Sequence, residues 1–183
     1  EYEVSLRSAE GITSFLDKER YETYTVIIRG TEWNVQLPDG ATAPIDRNDF
    51  SFRHEGTHIK FDYAYITIHG TPGENGVLQG YLDMIGLPYS CCGVLAAAMT
   101  FNKYTCNHYL KGFGVKVAES VLLRKSNSQY PIADILNIVG LPCFIKTNVG
   151  GSSFGVTKVK TLEEVEPAIE KAFAEGDEVI CEA

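Results

Sequence analysis

Residues 145–155 read I-K-T-N-V-G-G-S-S-F-G: a lysine, a short polar run, two glycines, two serines and a closing glycine. Glycines let backbone N–H groups approach an anion closely, and serines add hydroxyl donors, so the composition of an anion cradle is present. The order differs from the commonest phosphate loop, where the lysine follows the glycines; here Lys146 precedes them. On the residues alone the stretch is equally a Gly/Ser turn between strands. On either side, C-F-I-K (143–146) and V-T-K-V-K (156–160) carry a strand pattern, which predicts a hairpin with a long glycine-rich tip.

With 183 residues, 44% of them hydrophobic and 11% aromatic, the chain has room for one large or two small domains with packed cores. A net charge of -8 excludes a sequence-independent grip on DNA or RNA backbone, so any bound anion must meet a local arrangement of donors. No apolar run approaches the ~20 residues needed to cross a bilayer. The opening E-Y-E-V-S-L-R-S-A-E lacks the zones of a signal peptide, so the chain reads as cytosolic. Its five cysteines (91, 92, 106, 143, 181) form no C-x-x-C pair and are expected to be buried, reduced thiols. The first residue is not methionine and the last six, E-V-I-C-E-A, fall within a strand pattern, so the chain reads as a span of something longer.

Val4, Ala9, Ile12, Phe15 and Leu16 recur at helical spacing, with Ser5 as a possible cap, and Y-T-V-I-I-R-G (24–30) follows as a strand. Trp33, Val35 and Leu37 alternate before the turn P-D-G; Phe50 and Phe52, then Ile59 and Phe61, alternate again. Y-A-Y-I-T-I-H-G (63–70) reads as a buried central strand, and Val77 to Ile85 as an amphipathic helix stopped by Gly86. This order predicts an open α/β layer. From about residue 92 the texture changes, and a second lobe is expected. It holds helices over G-V-L-A-A-A-M-T, N-K-Y-T-C-N-H-Y-L-K-G and I-A-D-I-L-N-I-V, with strand pieces at Val115/Val117 and Val121/Leu123. Thr161 and Glu164 fit a capping box, but Pro167 lies too deep for its first turn, so a kink or a later helix start is expected before Gly176.

Two short motifs invite chemistry. His54-Glu55-Gly56-Thr57-His58 spells H-E-x-x-H, which on a helix would bind zinc; Gly56, Thr57 and the alternating flanks predict a hairpin turn instead. I-H-G-T-P-G-E-N-G (68–76) places a histidine and a glycine-rich turn between strand and helix, where open α/β sheets bind ligands. His69 there either caps the strand or meets a carboxylate substrate.

Taken together, E-Y-E-V-S-L-R-S-A (1–9), H-G-T-P-G-E-N-G (69–76), N-K-Y-T (102–105) and I-K-T-N-V-G-G-S-S-F-G-V-T-K-V (145–159) closely resemble the D-alanine-D-alanine ligase family of the ATP-grasp fold. The segments stand in the family's order and span nearly the whole chain. The resemblance implies an N-terminal open α/β, Rossmann-like, substrate domain over residues 1–91 and the central α+β subdomain of an ATP-grasp fold over 92–183. A C-terminal domain is absent from this span. It implies ATP-dependent ligation of two D-alanines through an acyl phosphate, for peptidoglycan precursors, with another ATP-grasp carboxylate-amine ligase (D-serine or D-lactate acceptor) or a non-catalytic nucleotide-binding module as alternatives.

The same resemblance implies roles for single residues. Glu1 matches the family's glutamate for the first D-alanine's ammonium, Val4 the valine on its methyl group, with Ser5 on the same helix end; His69 and Glu74 match the wall behind that substrate. Lys103 and Lys146 match two lysines on the ATP phosphates. Ser152 and Ser153 match paired lid serines, one tied to Glu1 and one near the transferred phosphoryl group. Glu182 matches the hinge residue at the adenine, with Phe144 and Val156 as walls of the base pocket. Magnesium ligands are implied in the C-terminal domain, none here, so this span alone is expected not to turn over. Partners are D-alanine and ATP, a homodimer is usual in the family, and no nucleic acid or membrane is implied.

Overall fold

The computed structural model describes residues 1–127, 130–150 and 155–183, and the chain divides into two compact units, Glu1–Val94 and Leu95–Ala183. Helices and several small sheets build both, in keeping with the α/β class expected from the sequence.

In the first unit, helix α1 (Tyr2–Phe15) precedes an antiparallel meander of β1 (Thr25–Arg29), β2 (Glu32–Gln36) and β3 (Thr42–Pro44). A hairpin of β4 (Ser51–His54) and β5 (Thr57–Lys60) follows, and then helix α2 (Val77–Ile85). Leu78 and Leu82 of α2 join a core with Val35, Phe50 and Phe52, framed by edge-on contacts among Tyr24, Trp33, Phe61 and Tyr81. Gly86 ends α2 at φ 70°, the left-handed cap expected of it. The H-E-x-x-H pentapeptide is a turn: Glu55 (φ 49°) and Gly56 (φ 79°) link β4 to β5, and His58 Nε2 meets Ser51 Oγ at 2.8 Å.

Two expectations fail here for a shared reason. Residues 63–70 form no strand ladder; Ala64 makes one parallel bridge to Tyr89, and the Ile66 and His69 amides donate to the hydroxyls of Ser90 (2.9 Å) and Ser5 (3.0 Å). Side chains thus satisfy donors that a neighbouring strand would otherwise take. Ser5 is accordingly no helix cap. Helix α1 starts after Glu1, and the Ser5 hydroxyl donates to the Glu1 carbonyl at 3.1 Å while accepting from His69.

In the second unit, helices α3 (Val94–Phe101) and α4 (Lys103–Gly112) lead to β6 (Ser120–Arg124), α5 (Ile132–Val139), β7 (Cys143–Thr147), β8 (Thr157–Val159), α6 (Val165–Glu175) and β9 (Glu178–Glu182). One antiparallel sheet results, ordered β6-β9-β7-β8, with the last strand in sequence at its centre. Val179, Ile180 and Cys181 are therefore fully buried, and Val179 and Cys181 pack with Leu123, Ile135, Ile145, Ala168 and Ala172. The capping box of Thr161 and Glu164 closes a 3-10 turn over Leu162–Glu164, and α6 starts after it with Pro167 in its first turn, the later start the proline demanded.

Val115 and Val117 are not strand. The Gly114 and Val115 amides donate to the Lys111 and Leu110 carbonyls, so these residues terminate α4. Cys143 and Cys181 are buried, and burial pushes the Cys181 thiol up to about 12. Cys91 and Cys92 correct the expectation: both are exposed, in the connection after Tyr89, and Cys106 is half-buried. Among the described residues no helix is long and apolar enough to cross a membrane.

Ile145 on β7 is fully buried in the second unit's core. Ile145→Ala is expected to lower unfolding free energy by about 3 kcal/mol, through lost transfer energy and the cavity left behind. The urea midpoint read by far-UV circular dichroism measures it.

Candidate functional site

The residues singled out in sequence fall into two groups, one in each unit. In the first unit, Glu1, Ser5, His69 and Glu74 come together around Gly70. The Gly70 amide donates to Glu74 Oε2 at 2.7 Å and the Glu74 amide returns to the Gly70 carbonyl at 2.8 Å, so the turn after His69 is held by its own carboxylate. The Glu1 carboxylate lies against Gly70, which has φ 76°; a Cβ there would sit on that carboxylate. Deeper in the loop a Cβ on Gly73 would meet the Ile68 carbonyl at 2.5 Å, so close approach requires Gly73 and left-handed backbone requires Gly70.

Helix α1 has no buried residue and is held instead by polar contacts. Ser5 bonds the His69 amide, Ser8 Oγ meets His69 Nε2 at 3.1 Å, and the Arg29 guanidinium lies over the Tyr2 ring at 4.2 Å. Val4 is 41% exposed and is free to receive an apolar group. Ser8 was missed in the sequence reading, because a serine on an exposed helix face carries no signal until its partner is known.

The second group is electrostatic. Lys146 on β7 reaches Glu182 on β9, Nζ to Oε2 2.6 Å, with both side chains about one-fifth exposed. The other Glu182 oxygen accepts from Asn107 Nδ2 of α4 at 2.8 Å. Lys103, the first residue of α4, directs its Nζ to the carbonyls of Gly150 (2.9 Å) and Asn148 (3.3 Å). Burial, with the Lys146 charge nearby, pushes Lys103 below its ordinary value near 10.5, against the pull of Glu182.

Phe144 pairs in register with Glu182 and is 38% exposed, with Lys158 Nζ 5.6 Å from its ring centroid; Val156 is 37% exposed before β8. Ser152 and Ser153 lie outside the described residues. Sequence reasoning missed Asn107 and Asn148, since an asparagine beside glycines reads as turn chemistry.

A groove of about 510 Å³ lies elsewhere in this unit, lined by Lys125, Tyr130, Ile132, Glu166 and Phe173 among others. It contains none of the site residues named above, and the Lys146–Glu182 pair with the half-buried Lys103 nearby is the better guide to function.

Comparison with known proteins follows this geometry. Residues 1–92 match the family described as D-ala D-ala ligase N-terminus, and residues 109–183 the one described as D-ala D-ala ligase C-terminus. The chain is 65% identical over 182 residues to a D-alanine--D-alanine ligase of Phocaeicola vulgatus, covering 98% of this chain and 55% of that protein's length. Among solved structures it is similar to D-alanyl-alanine synthetase A of Vibrio cholerae, with 30% identity, a TM-score of 0.84, and 98% of this chain against 54% of that one. It is also similar to the VanG D-Ala:D-Ser ligase of Enterococcus faecalis, with 30% identity, a TM-score of 0.85, and 99% against 58%.

Two outcomes test this geometry. Gly70→Ala forces a side chain into left-handed backbone and is expected to cost about 1–2 kcal/mol in urea unfolding. It also shifts the amide NMR signals of residues 1–5 as Glu1 is displaced. For Lys103, the folded state releases its proton before the unfolded chain does. Between the lowered folded value and 10.5 the unfolded state therefore binds more protons, and this residue's contribution to stability rises with pH. The stability of Lys103→Met relative to wild type is expected to fall as pH is raised from 7 toward 10.5; a flat difference contradicts the burial cost.

Proposed function

Because the chain belongs to the D-alanine-D-alanine ligase family, we propose that the protein joins two D-alanines through an acyl phosphate, consuming one ATP, in the cytoplasm and for peptidoglycan precursors. The chain spans about 55% of the length of the relatives it matches, and the reading concerns the intact protein. Residues 1–91 then hold the first D-alanine, and residues 92–183 are the central ATP-grasp subdomain.

The observation that carries this reading is the half-buried convergence of Lys146 and Lys103 near Glu182, in a chain of net charge -8. Two partly desolvated lysines need anionic or carbonyl partners, and here each has one that a phosphate can replace. In this reading the triphosphate takes over Lys146 from Glu182 and Lys103 from the Asn148 and Gly150 carbonyls. Phe144 and Val156 flank the base, and the Glu182 backbone meets it. Lysine charge then stabilises the phosphoryl group as it passes to the D-alanine carboxylate, catalysis by positioning and electrostatics.

Glu1 accepts from the ammonium of that D-alanine, Val4 packs on its methyl group, and Ser5, His69 and Glu74 shape the wall. Ser152 and Ser153, by the family pattern, serve the transferred phosphoryl group. The family is ATP-dependent and typically uses magnesium. Among the described residues no three His, Cys, Asp or Glu side chains converge to hold a metal.

A D-serine acceptor is the second reading, favoured by the likeness to a D-Ala:D-Ser ligase. Offering D-alanine or D-serine as the acceptor beside D-alanine, and identifying the dipeptide, separates the two.

In the intact protein, phosphate release from ATP is expected to depend on D-alanine. Lys146→Ala should raise the KM for ATP roughly ten- to hundredfold, as loss of a bond to a charged group implies. The D-alanine KM should stay within about threefold. Equal losses in both, or ATP hydrolysis indifferent to D-alanine, would contradict the proposal.

A further inference from the structure

We propose that Asn148 is a positioning residue for the nucleotide phosphates: it sets the placement of Lys103 relative to Lys146 by tying the first turn of α4 to the β7–β9 pair. Asn148 is fully buried, and every polar atom it owns is engaged. Its amide donates to the Glu178 carbonyl at 2.9 Å and its Nδ2 to Glu178 Oε2 at 2.7 Å, fixing the end of β7 on β9. Its Oδ1 accepts from the Tyr104 amide at 2.8 Å. Its carbonyl accepts from the Lys103 amide at 3.1 Å and from Lys103 Nζ at 3.3 Å. One residue thus supplies acceptors to the first two amides of α4, and Asn102 supplies the third, to Thr105 at 2.9 Å.

The two lysines reach the same place by different routes. Lys146 is carried by β7 and tied to β9 by Glu182. Lys103 is carried by α4, whose first turn is joined to that sheet through Asn148, with the Asn102–Val149 bridge alongside. Glu178, at the opposite end of β9 from Glu182, is itself held by Arg124 Nε at 3.0 Å. Losing the Asn148 side chain strips the Tyr104 amide and the Glu178 carboxylate of their partner and loosens the first turn of α4, so that Lys103 is left on backbone carbonyls alone while Lys146 stays on its strand. A phosphate chain that needs both charges at once then meets only one in register.

The inference rests on the reading that these lysines hold ATP phosphates, and the experiment keeps the two apart. ATP affinity and the KM values for ATP and D-alanine are measured on the intact protein as wild type, Lys146→Ala, Asn148→Ala, Asn148→Asp, and Asn148→Asp combined with Glu178→Gln. Asn148→Ala is expected to weaken ATP binding at least tenfold with the D-alanine KM within about threefold. Asn148→Asp sets a carboxylate against Glu178 and should lose as much. The double variant reverses donor and acceptor, the new amide at position 178 donating to the new carboxylate at position 148, and should recover ATP affinity to within about threefold of wild type. That comparison decides the matter even where Asn148→Ala fails to fold.

A lowered melting temperature with unchanged ATP affinity, or a double variant no better than Asn148→Asp, overturns the positioning role. If Lys146→Ala leaves ATP affinity unchanged, both that role and the ligase reading fall. If Lys146→Ala weakens ATP while the Asn148 variants do not, only the present inference falls.

Discussion

A lysine ammonium that loses most of its water must be given a partner, and the second unit is arranged around that requirement. Lys146 is only about one-fifth exposed, and Glu182 answers it at 2.6 Å. The pair exists because β9, the final strand, inserts between β6 and β7 and sets Glu182 two residues along from Ile180, the register partner of Lys146, on the same face of the sheet. Such a pair adds little to stability against an apolar alternative of the same shape, since desolvation offsets its Coulomb energy. What it provides is a charge held at a fixed place on the sheet. The core beneath, from Ile145 to Val179 and Cys181, holds the strand order that sets the pair.

The same constraint explains how an acidic chain comes to present a cationic site. With net charge -8, long-range steering does not favour a polyanion. Local geometry decides, because neighbouring side chains within a few ångströms outweigh distant screened ones. Lys103 shows the cost: its charged form is disfavoured by burial and by the second lysine, and two backbone carbonyls with Glu182 offset part of that.

Much of this was legible in the sequence, and the exceptions share a cause. The hairpin flanking residues 145–155, the turn at His54–His58, the caps at Gly86 and Gly176 and the late start of α6 are all local, written in propensity and turn chemistry. Both lysines and Glu182 were legible only as a pattern shared with other proteins; their convergence depends on β9 crossing to the sheet centre, which no local signal encodes. Asn148 was invisible for the same reason: between a threonine and a valine before two glycines it looks like a turn residue. Residues 63–70 misled in the opposite direction. Their apolar alternation is a strand pattern, but Ser5 and Ser90 hydroxyls occupy the donors a ladder would use.

The first unit reaches precision by another means. Helix α1 has no fully buried residue, with Leu6, Ala9 and Ile12 only half-buried, so apolar burial places it less firmly than it sets α2 against Val35, Phe50 and Phe52. Its start is located by directional contacts instead: Ser5 to the His69 amide, Ser8 to the His69 ring, Arg29 over Tyr2 and the Glu1 carboxylate against Gly70. Each such contact is weak alone, and a side chain at Gly70 would displace the Glu1 carboxylate. A helix held that way keeps the Glu1 carboxylate at its N-cap aligned with the His69–Glu74 turn without burying it. Burial would have fixed Glu1 more firmly and raised the cost of its charge. Polar docking places it without that cost, which is why the glycines of the loop matter to the site as much as the charged residues do.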